Sequence, residues 1–164
     1  MKIITLMRHA KSSWKDGHTN DMDRPLLRKG LSRTRQVIDY LKNNDFNPDF
    51  IITSPALRAS ETAKIMAHAF SIDDTNYREE SQLYAAQADD YYDQCFDLPQ
   101  TCVHVLMVGH NPAITGFANL FLDTKIDYLP TSGVISVAFD TEKWEDLPLS
   151  SRRVQLVLFP KMIS

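Results

Sequence analysis

The chain has 164 residues and a formal charge of −3; 43% of its residues are apolar and 24% are charged. These proportions are typical of a globular domain and exclude collagen-like, coiled-coil and strongly disordered chains. The slight acidity disfavours nucleic acid as the main partner, because proteins that bind phosphate backbones usually concentrate basic charge on one surface. The two cysteines, Cys95 and Cys102, are too few for a disulfide framework and are predicted to pack as free thiols.

The first half of the chain is predicted to form two strand–helix units. Residues 3–7 and 50–53 are short, nearly continuous apolar runs, which is typical of central strands covered by helices on both faces. Apolar side chains then recur every three or four positions, which predicts a helix from about Lys29 to Asn43. The second helix is predicted to begin with Ser54 as its cap and Pro55 at its first position.

The second half continues this alternation and ends in strands. Predicted in turn are a helix over 89–96, an apolar central strand over 103–108, a helix over 113–122, and strands nearer a sheet edge over 133–139 and 153–159. Strands that alternate with helices imply crossover connections and a mainly parallel sheet. The expected fold class is a three-layer α/β/α domain that spans residues 1–164.

Polar side chains follow each of the three central strands. Arg8 and His9 end the first strand, Arg58 lies one turn beyond the second, and His110 follows the third within a Gly-His-Asn-Pro turn. Ligands of open α/β sheets bind beyond the carboxyl ends of the strands. Each residue alone has an ordinary structural explanation, as a packed histidine, a surface ion pair or part of a turn. Their shared position instead predicts that all four converge on one pocket.

These side chains suit phosphoryl transfer. Arginine presents a permanently charged fork of donors that matches phosphate oxygens, and a neutral imidazole nitrogen can attack phosphorus. We expect His9 to be the nucleophile, with Arg8, Arg58 and His110 holding the phosphoryl oxygens in the transition state. The two arginines are expected to lower the pKa of His9 and keep it neutral. No cofactor or metal is predicted, because no carboxylate cluster or His-x-x-x-His motif adjoins these histidines.

Several segments together resemble the histidine phosphatase superfamily, and within it the short SixA-type phosphohistidine phosphatases. These segments are Leu6-Met7-Arg8-His9-Ala10, Asp21-Met22-Asp23-Arg24-Pro25-Leu26 with Gly30, Ser54-Pro55-Ala56-Leu57-Arg58-Ala59 with Thr62-Ala63, Leu83-Tyr84, Val108-Gly109-His110-Asn111-Pro112 and Thr131-Ser132-Gly133. The resemblance implies a phosphoglycerate mutase-like fold. It also implies that His9 becomes phosphorylated and that Arg8, Arg58 and His110 form the phosphate pocket.

One departure from the family pattern concerns the general acid. Mutase and sugar-phosphatase members carry a glutamate two residues after the leucine that matches Leu83, and this chain has Ala85 there. An alkoxide leaving group needs protonation, and general-acid help is typically worth about 10²–10⁴ in rate. The phosphorus–nitrogen bond of phosphohistidine is labile and releases imidazole, so it tolerates a weaker acid. Ala85 therefore favours a phosphohistidine substrate.

Other candidates for proton transfer or substrate binding remain open. Asp21 can deliver a proton or contact the leaving group, or it can pair with Arg24 and brace its loop. Glu80 can replace the missing acid or be a solvated charge. Lys15 stands where mutase-like members often carry asparagine; it can add positive charge for a phosphoprotein or face solvent. Ala10 replaces the usual glycine after the nucleophile and requires backbone that tolerates a Cβ.

The predicted function is hydrolysis of phosphohistidine on a partner protein through a phospho-His9 intermediate. A short chain without an obvious lid insertion leaves the pocket open to a protein surface. The first alternative is a metal-independent phosphatase of small phosphomonoesters that uses Glu80 or Asp21 as acid. The second alternative is a non-catalytic binder of phosphate or phosphoproteins. The first residues lack a signal-peptide hydrophobic region and no run approaches 18 apolar residues, so the cytoplasm is the expected location and no membrane partner is expected.

Overall fold

The apolar runs of the sequence form the central strands of a six-stranded sheet in a computed structural model, which describes residues 1–14 and 20–163. The strands are β1 (Lys2–Arg8), β2 (Phe50–Thr53), β3 (Tyr77–Glu79), β4 (His104–Gly109), β5 (Val134–Phe139) and β6 (Arg152–Leu158). Their order across the sheet is β3-β2-β4-β1-β5-β6. Strands β3, β2, β4 and β1 pair in parallel, whereas β5 is antiparallel to both β1 and β6. The prediction of a mostly parallel sheet is confirmed.

Four α-helices of the described residues cover the two faces of the sheet. They are α1 (Arg28–Lys42), α2 (Leu57–Ala69), α3 (Asp90–Asp93) and α4 (Ala113–Asn119). Alternate strand residues point to opposite faces, and two buried clusters result. Helices α1 and α2 pack against one face, where Ile51 and Leu106 lie. Helices α3 and α4 pack against the other face, where Ile52 and Met107 lie. This arrangement is the predicted three-layer α/β/α fold.

The start of α2 differs from its prediction. The helix begins at Leu57, its N-cap is Ala56, and the cap makes no side-chain hydrogen bond. The Oγ of Ser54 instead accepts the N–H of Ala56 at 3.2 Å and lies 2.7 Å from His110. Because Ser54 closes a turn ahead of the helix, the prediction that it caps the first turn is wrong.

Other differences concern the lengths of two helices and the strands near the edges of the sheet. Helices α3 and α4 are shorter than predicted because the chain tightens after each: the N–H groups of Cys95 and Leu120 bond to carbonyl groups three residues back. Strand β3 has no counterpart among the predicted elements, since Tyr-Arg-Glu carries no apolar pattern. Strand β5 is buried along its whole length and β6 forms the edge. Cys95 and Cys102 are buried free thiols, as predicted.

None of the helices in the described part of the chain has the length and apolar character that a membrane crossing requires.

Candidate active site

Four side chains meet where three neighbouring strands end. Strands β2, β4 and β1 are adjacent and parallel, so their carboxyl ends share one edge of the sheet. Arg8 ends β1 and His9 follows it, His110 follows β4, and Arg58 lies in the first turn of α2. The ring centroids of His9 and His110 are 5.2 Å apart. The charges of both arginines lower the pKa of each histidine, which places all four residues in one electrostatic neighbourhood.

The ring of His9 is oriented by the backbone of the next residue. Its Nδ1 lies 2.8 Å from the carbonyl oxygen of Ala10. Because a carbonyl oxygen only accepts hydrogen bonds, Nδ1 carries the proton and Nε2 keeps its lone pair. Burial lowers the pKa of His9 to about 3, with His110, Arg8 and Arg58 as further causes. His9 is therefore neutral at neutral pH, and burial contributes more to this than the arginines do.

The residue after His9 connects β1 to α2. The N–H of Ala10 donates to Thr62 Oγ1 at 2.9 Å, and that hydroxyl donates to the carbonyl oxygen of Arg58 at 2.7 Å. Thr62 thus fixes the loop after His9 relative to the helix that carries Arg58. Among the described residues, the non-glycine positions with positive φ are Asp45, Ser71 and Ser132. Ala10 is outside that group, so its backbone accommodates a Cβ without strain.

His110 is held by Ser54, a residue whose role the sequence analysis missed. Nε2 of His110 lies 2.7 Å from Ser54 Oγ, which also accepts the N–H of Ala56. Either atom can be the donor in this contact; where the Ser54 hydroxyl donates to Nε2, Nδ1 of His110 carries the imidazole proton. Burial, with Arg58 as the second cause, lowers the pKa of His110 to about 4. The position of Ser54 directly after β2 is the same signal that pointed to the other site residues.

The two arginines are fixed by backbone and loop acceptors. Arg8 Nη1 donates to the carbonyl oxygen of Leu129 at 3.2 Å. Arg58 Nη1 donates to the carbonyl oxygen of Asp21 at 2.7 Å, and Nη2 lies 3.1 Å from Asp21 Oδ2. The buried Nε atoms of both arginines and Nδ1 of His110 have no hydrogen-bond partner within residues 1–14 and 20–163. Buried donors are normally satisfied, so the two Nε–H groups, together with Nδ1 of His110 in the tautomer that protonates it, are available to an anion.

Asp21 pairs with Arg24 and braces its own loop, and it also contacts Arg58 of the candidate site. It lies in a 3₁₀ turn (Asp21–Asp23), where it pairs with Arg24 and Arg58 and accepts a hydrogen bond from the Tyr84 hydroxyl at 2.6 Å. The Tyr84 hydrogen bond is the main reason that the pKa of Asp21 lies below its usual value, and the arginines lower it further. In this arrangement Asp21 is ionised at neutral pH and acts as an acceptor.

Of the two remaining candidates, Glu80 belongs to the described part of the chain. Glu80 follows β3, and its Oε1 pairs with Arg78 Nε at 3.1 Å. Arg78 also pairs with Asp97, so Glu80 belongs to an ion-pair group on the β3 edge. Lys15 lies outside the described residues. Within the described ranges, no group of three or more His, Cys, Asp or Glu side chains could hold a metal ion.

The buried histidines predict a pH dependence of stability. The pKa of His9 is about 3 and those of His104 and His110 are about 4, against a usual value of 6.5. At pH values between the lowered pKa and 6.5, these histidines are protonated in the unfolded chain and neutral in the folded chain. The free energy of unfolding should therefore fall as pH decreases from about 6.5 to about 4, by up to ~1.4 kcal/mol per pH unit for each histidine.

Urea unfolding across this pH range measures the effect. The variant His104→Gln should show a shallower decline than the wild type, because it removes one buried histidine whose pKa is lowered to about 4. His104 begins β4, at the opposite end of that strand from the site, so the change should leave the site intact. His68 is exposed on α2, so His68→Gln should leave the slope unchanged. A stability that does not change from about pH 6.5 to pH 4 would show that these histidines are not buried as neutral groups.

Comparison with known proteins agrees with this fold, which is that of a phosphoglycerate mutase-like α/β protein. The family model of the histidine phosphatase superfamily (branch 1) matches residues 4–94. An uncharacterized protein of Mycobacterium leprae is 30% identical over 168 residues, which cover 93% of this chain and 98% of that protein. The chain belongs to the histidine phosphatase superfamily.

Two further relatives match over shorter regions. Uncharacterized proteins of Arabidopsis thaliana and a Picosynechococcus strain are each 40% identical, over 63 and 66 residues respectively. These matches cover 38% and 40% of this chain, and they span 29% and 40% of the relatives' own lengths.

Solved structures reproduce the fold over nearly the whole chain. A chain from Agrobacterium tumefaciens assigned as phosphohistidine phosphatase SixA is 25% identical, with a TM-score of 0.79 over 97% of this chain and 98% of that one. The protein histidine phosphatase SixA complexed with tungstate is 18% identical, with a TM-score of 0.81 over 99% of both chains. At that lower identity the likeness concerns the fold alone.

Proposed function

We propose that this protein is a phosphatase that forms a phospho-His9 intermediate, and that its substrate is phosphohistidine carried on a protein. The observation that carries the proposal is the free Nε2 of a neutral His9 beside Arg8, Arg58 and His110. A nucleophile with an available lone pair and a set of preorganised donors are the two requirements of covalent phosphoryl transfer. Superfamily membership supports the same chemistry.

The reaction has two displacements. In the first, His9 Nε2 attacks phosphorus and forms a P–N bond while the bond to the leaving group breaks. The arginine guanidinium groups and His110 Nδ1–H donate to the equatorial oxygens as negative charge builds there. In the second, water attacks phospho-His9, the P–N bond to His9 breaks, and inorganic phosphate leaves. Nε2 of His9 returns to its lone-pair form after the second step.

The weak proton donors around His9 favour imidazole as the leaving group. Around His9, Asp21 is held in its ionised form and the pKa of His110 is about 4, so neither is a strong proton donor at neutral pH. Residue 85, where related phosphatases carry a glutamate, is alanine. An alkoxide leaving group would depart slowly from such a site, whereas imidazole leaves without a strong acid. Similarity to the SixA chain of Agrobacterium tumefaciens supports this substrate class.

The proposal is tested by comparing a histidine-phosphorylated peptide, p-nitrophenyl phosphate and glycerol phosphate as substrates. We expect kcat/KM for the phosphohistidine peptide to exceed that for glycerol phosphate by at least ~10², the usual worth of a general acid. Acid-labile, base-stable phosphate should become attached to the protein during turnover. Comparable rates on glycerol phosphate would identify a phosphomonoester phosphatase instead. Tight phosphate binding without turnover or phosphoenzyme would identify a binding protein.

A further inference from the structure

A second concave surface lies beside the candidate active site and takes no part in the proposed chemistry. This basic cleft has a volume of about 540 Å³, and its walls come from α1, from the loop over residues 125–131 and from the turn after β6. Its charged side chains are Arg33, Lys125, Lys161 and Asp127. Even without Lys161 the cleft has two cations and one carboxylate, which is a local excess of positive charge in a chain whose formal charge is −3.

The basic cleft and the active site share a wall. The carbonyl oxygen of Leu129, in the loop that lines the cleft, accepts the hydrogen bond from Arg8. Two residues after the lining residue Pro130, the N–H of Ser132 donates to the carbonyl oxygens of Arg8 and His9 at 3.1 and 3.3 Å. A polypeptide that placed a phosphohistidine in the candidate active site and continued toward α1 would cross this loop.

The cations of the cleft are placed to contact such a polypeptide. Arg33 is half-buried on α1 and forms no ion pair with any described residue. Lys125 is exposed, and its Nζ is anchored by the carbonyl oxygen of Leu122 at 2.7 Å. Tyr128 is 62% exposed and lies in the lining of the cleft. An anchored lysine, an arginine without an ion pair among the described residues and an exposed aromatic residue fit an acidic peptide with an apolar side chain.

We infer that the basic cleft docks an acidic segment that flanks the phosphohistidine of the substrate protein. This docking role rests on the proposed phosphatase function, and it specifies in addition that the substrate protein is acidic next to its phosphohistidine. Docking of this kind acts outside the reacting atoms, so it should lower KM for an acidic substrate and leave kcat unchanged.

The test uses two synthetic phosphohistidine peptides of equal length, one with glutamates and the other with glutamines around the phosphohistidine. The cleft variant is Arg33→Gln with Lys125→Gln. The matched control is Arg35→Gln with Lys64→Gln, which removes the same charge from exposed positions on α1 and α2. The cleft variant should raise KM for the acidic peptide about fivefold, as expected for two partly solvated charge contacts. The control variant and the glutamine peptide should show no such change.

A second measurement separates docking from catalysis. Binding of the unphosphorylated acidic peptide, followed by fluorescence anisotropy at low salt, should weaken in the cleft variant and not in the control variant. Equal KM values of the wild type for the two phosphopeptides would overturn the docking inference while leaving the phosphatase proposal intact. A different result would be that the wild type binds the acidic peptide more tightly than the cleft variant does but hydrolyses none of the substrates. That result would support the docking surface and show that the proposed phosphatase function is wrong.

Discussion

Replacement of His9 by alanine should reduce kcat/KM for a phosphohistidine peptide by at least ~10⁴, because it removes the proposed nucleophile of the covalent mechanism. Water would then have to attack the substrate directly, without the preorganised Nε2 that the hydrogen bond to Ala10 presents. The arginines and His110 would remain to bind the phosphoryl group. The variant should therefore still bind inorganic phosphate although it forms no phosphoenzyme.

The control for this variant is His68→Ala, which removes an exposed imidazole from α2. It should keep the wild-type rate and form the same amount of acid-labile phosphoenzyme. If the His9 variant still became phosphorylated on histidine at the wild-type rate, another histidine would be the nucleophile. His110 is then the first candidate, because its ring lies 5.2 Å from that of His9.

The strand ends made the candidate site predictable. A buried parallel strand needs a nearly continuous apolar run, and that requirement marks where each strand stops and polar residues begin. Arg8, His9 and His110 could be placed at one edge of the sheet because their strands are central and parallel. Arg58 followed from the helical turn after β2. The sequence signal is strong here because burial constrains every residue of these strands.

The contacts that orient the site could not be predicted in this way. Ser54 carries the signal of a helix cap as well as that of a strand end, and local sequence does not decide between the two roles. The carbonyl oxygen of Leu129, which holds Arg8, is invisible in the sequence because every residue has one. The contact of Asp21 with Arg58 joins residues 37 positions apart through an irregular loop. Such contacts depend on tertiary packing rather than on a periodic pattern.

Arg58 offers the second large effect, since it is buried in the site and donates from a rigid fork. Arg58→Ala should lower kcat/KM by about 10²- to 10³-fold, the range observed when one preorganised transition-state donor is removed. Its guanidinium also helps to lower the pKa of both histidines. Burial is the larger cause of that lowering, so both histidines should stay neutral in the variant, and the lost donor should cost rate throughout the neutral pH range rather than only at its acidic end.

Arg58→Lys separates charge from geometry. Lysine restores a positive charge but lacks the planar fork that matches two phosphate oxygens, so its rate should lie between those of the wild type and the alanine variant. Arg35→Ala removes an exposed arginine from α1 and should leave the rate unchanged. Full activity in Arg58→Ala would mean that the interaction of Arg58 with Asp21 is its whole role. In that case the variant should lose thermal stability without losing rate, because a loop contact and not a phosphate contact would have been removed.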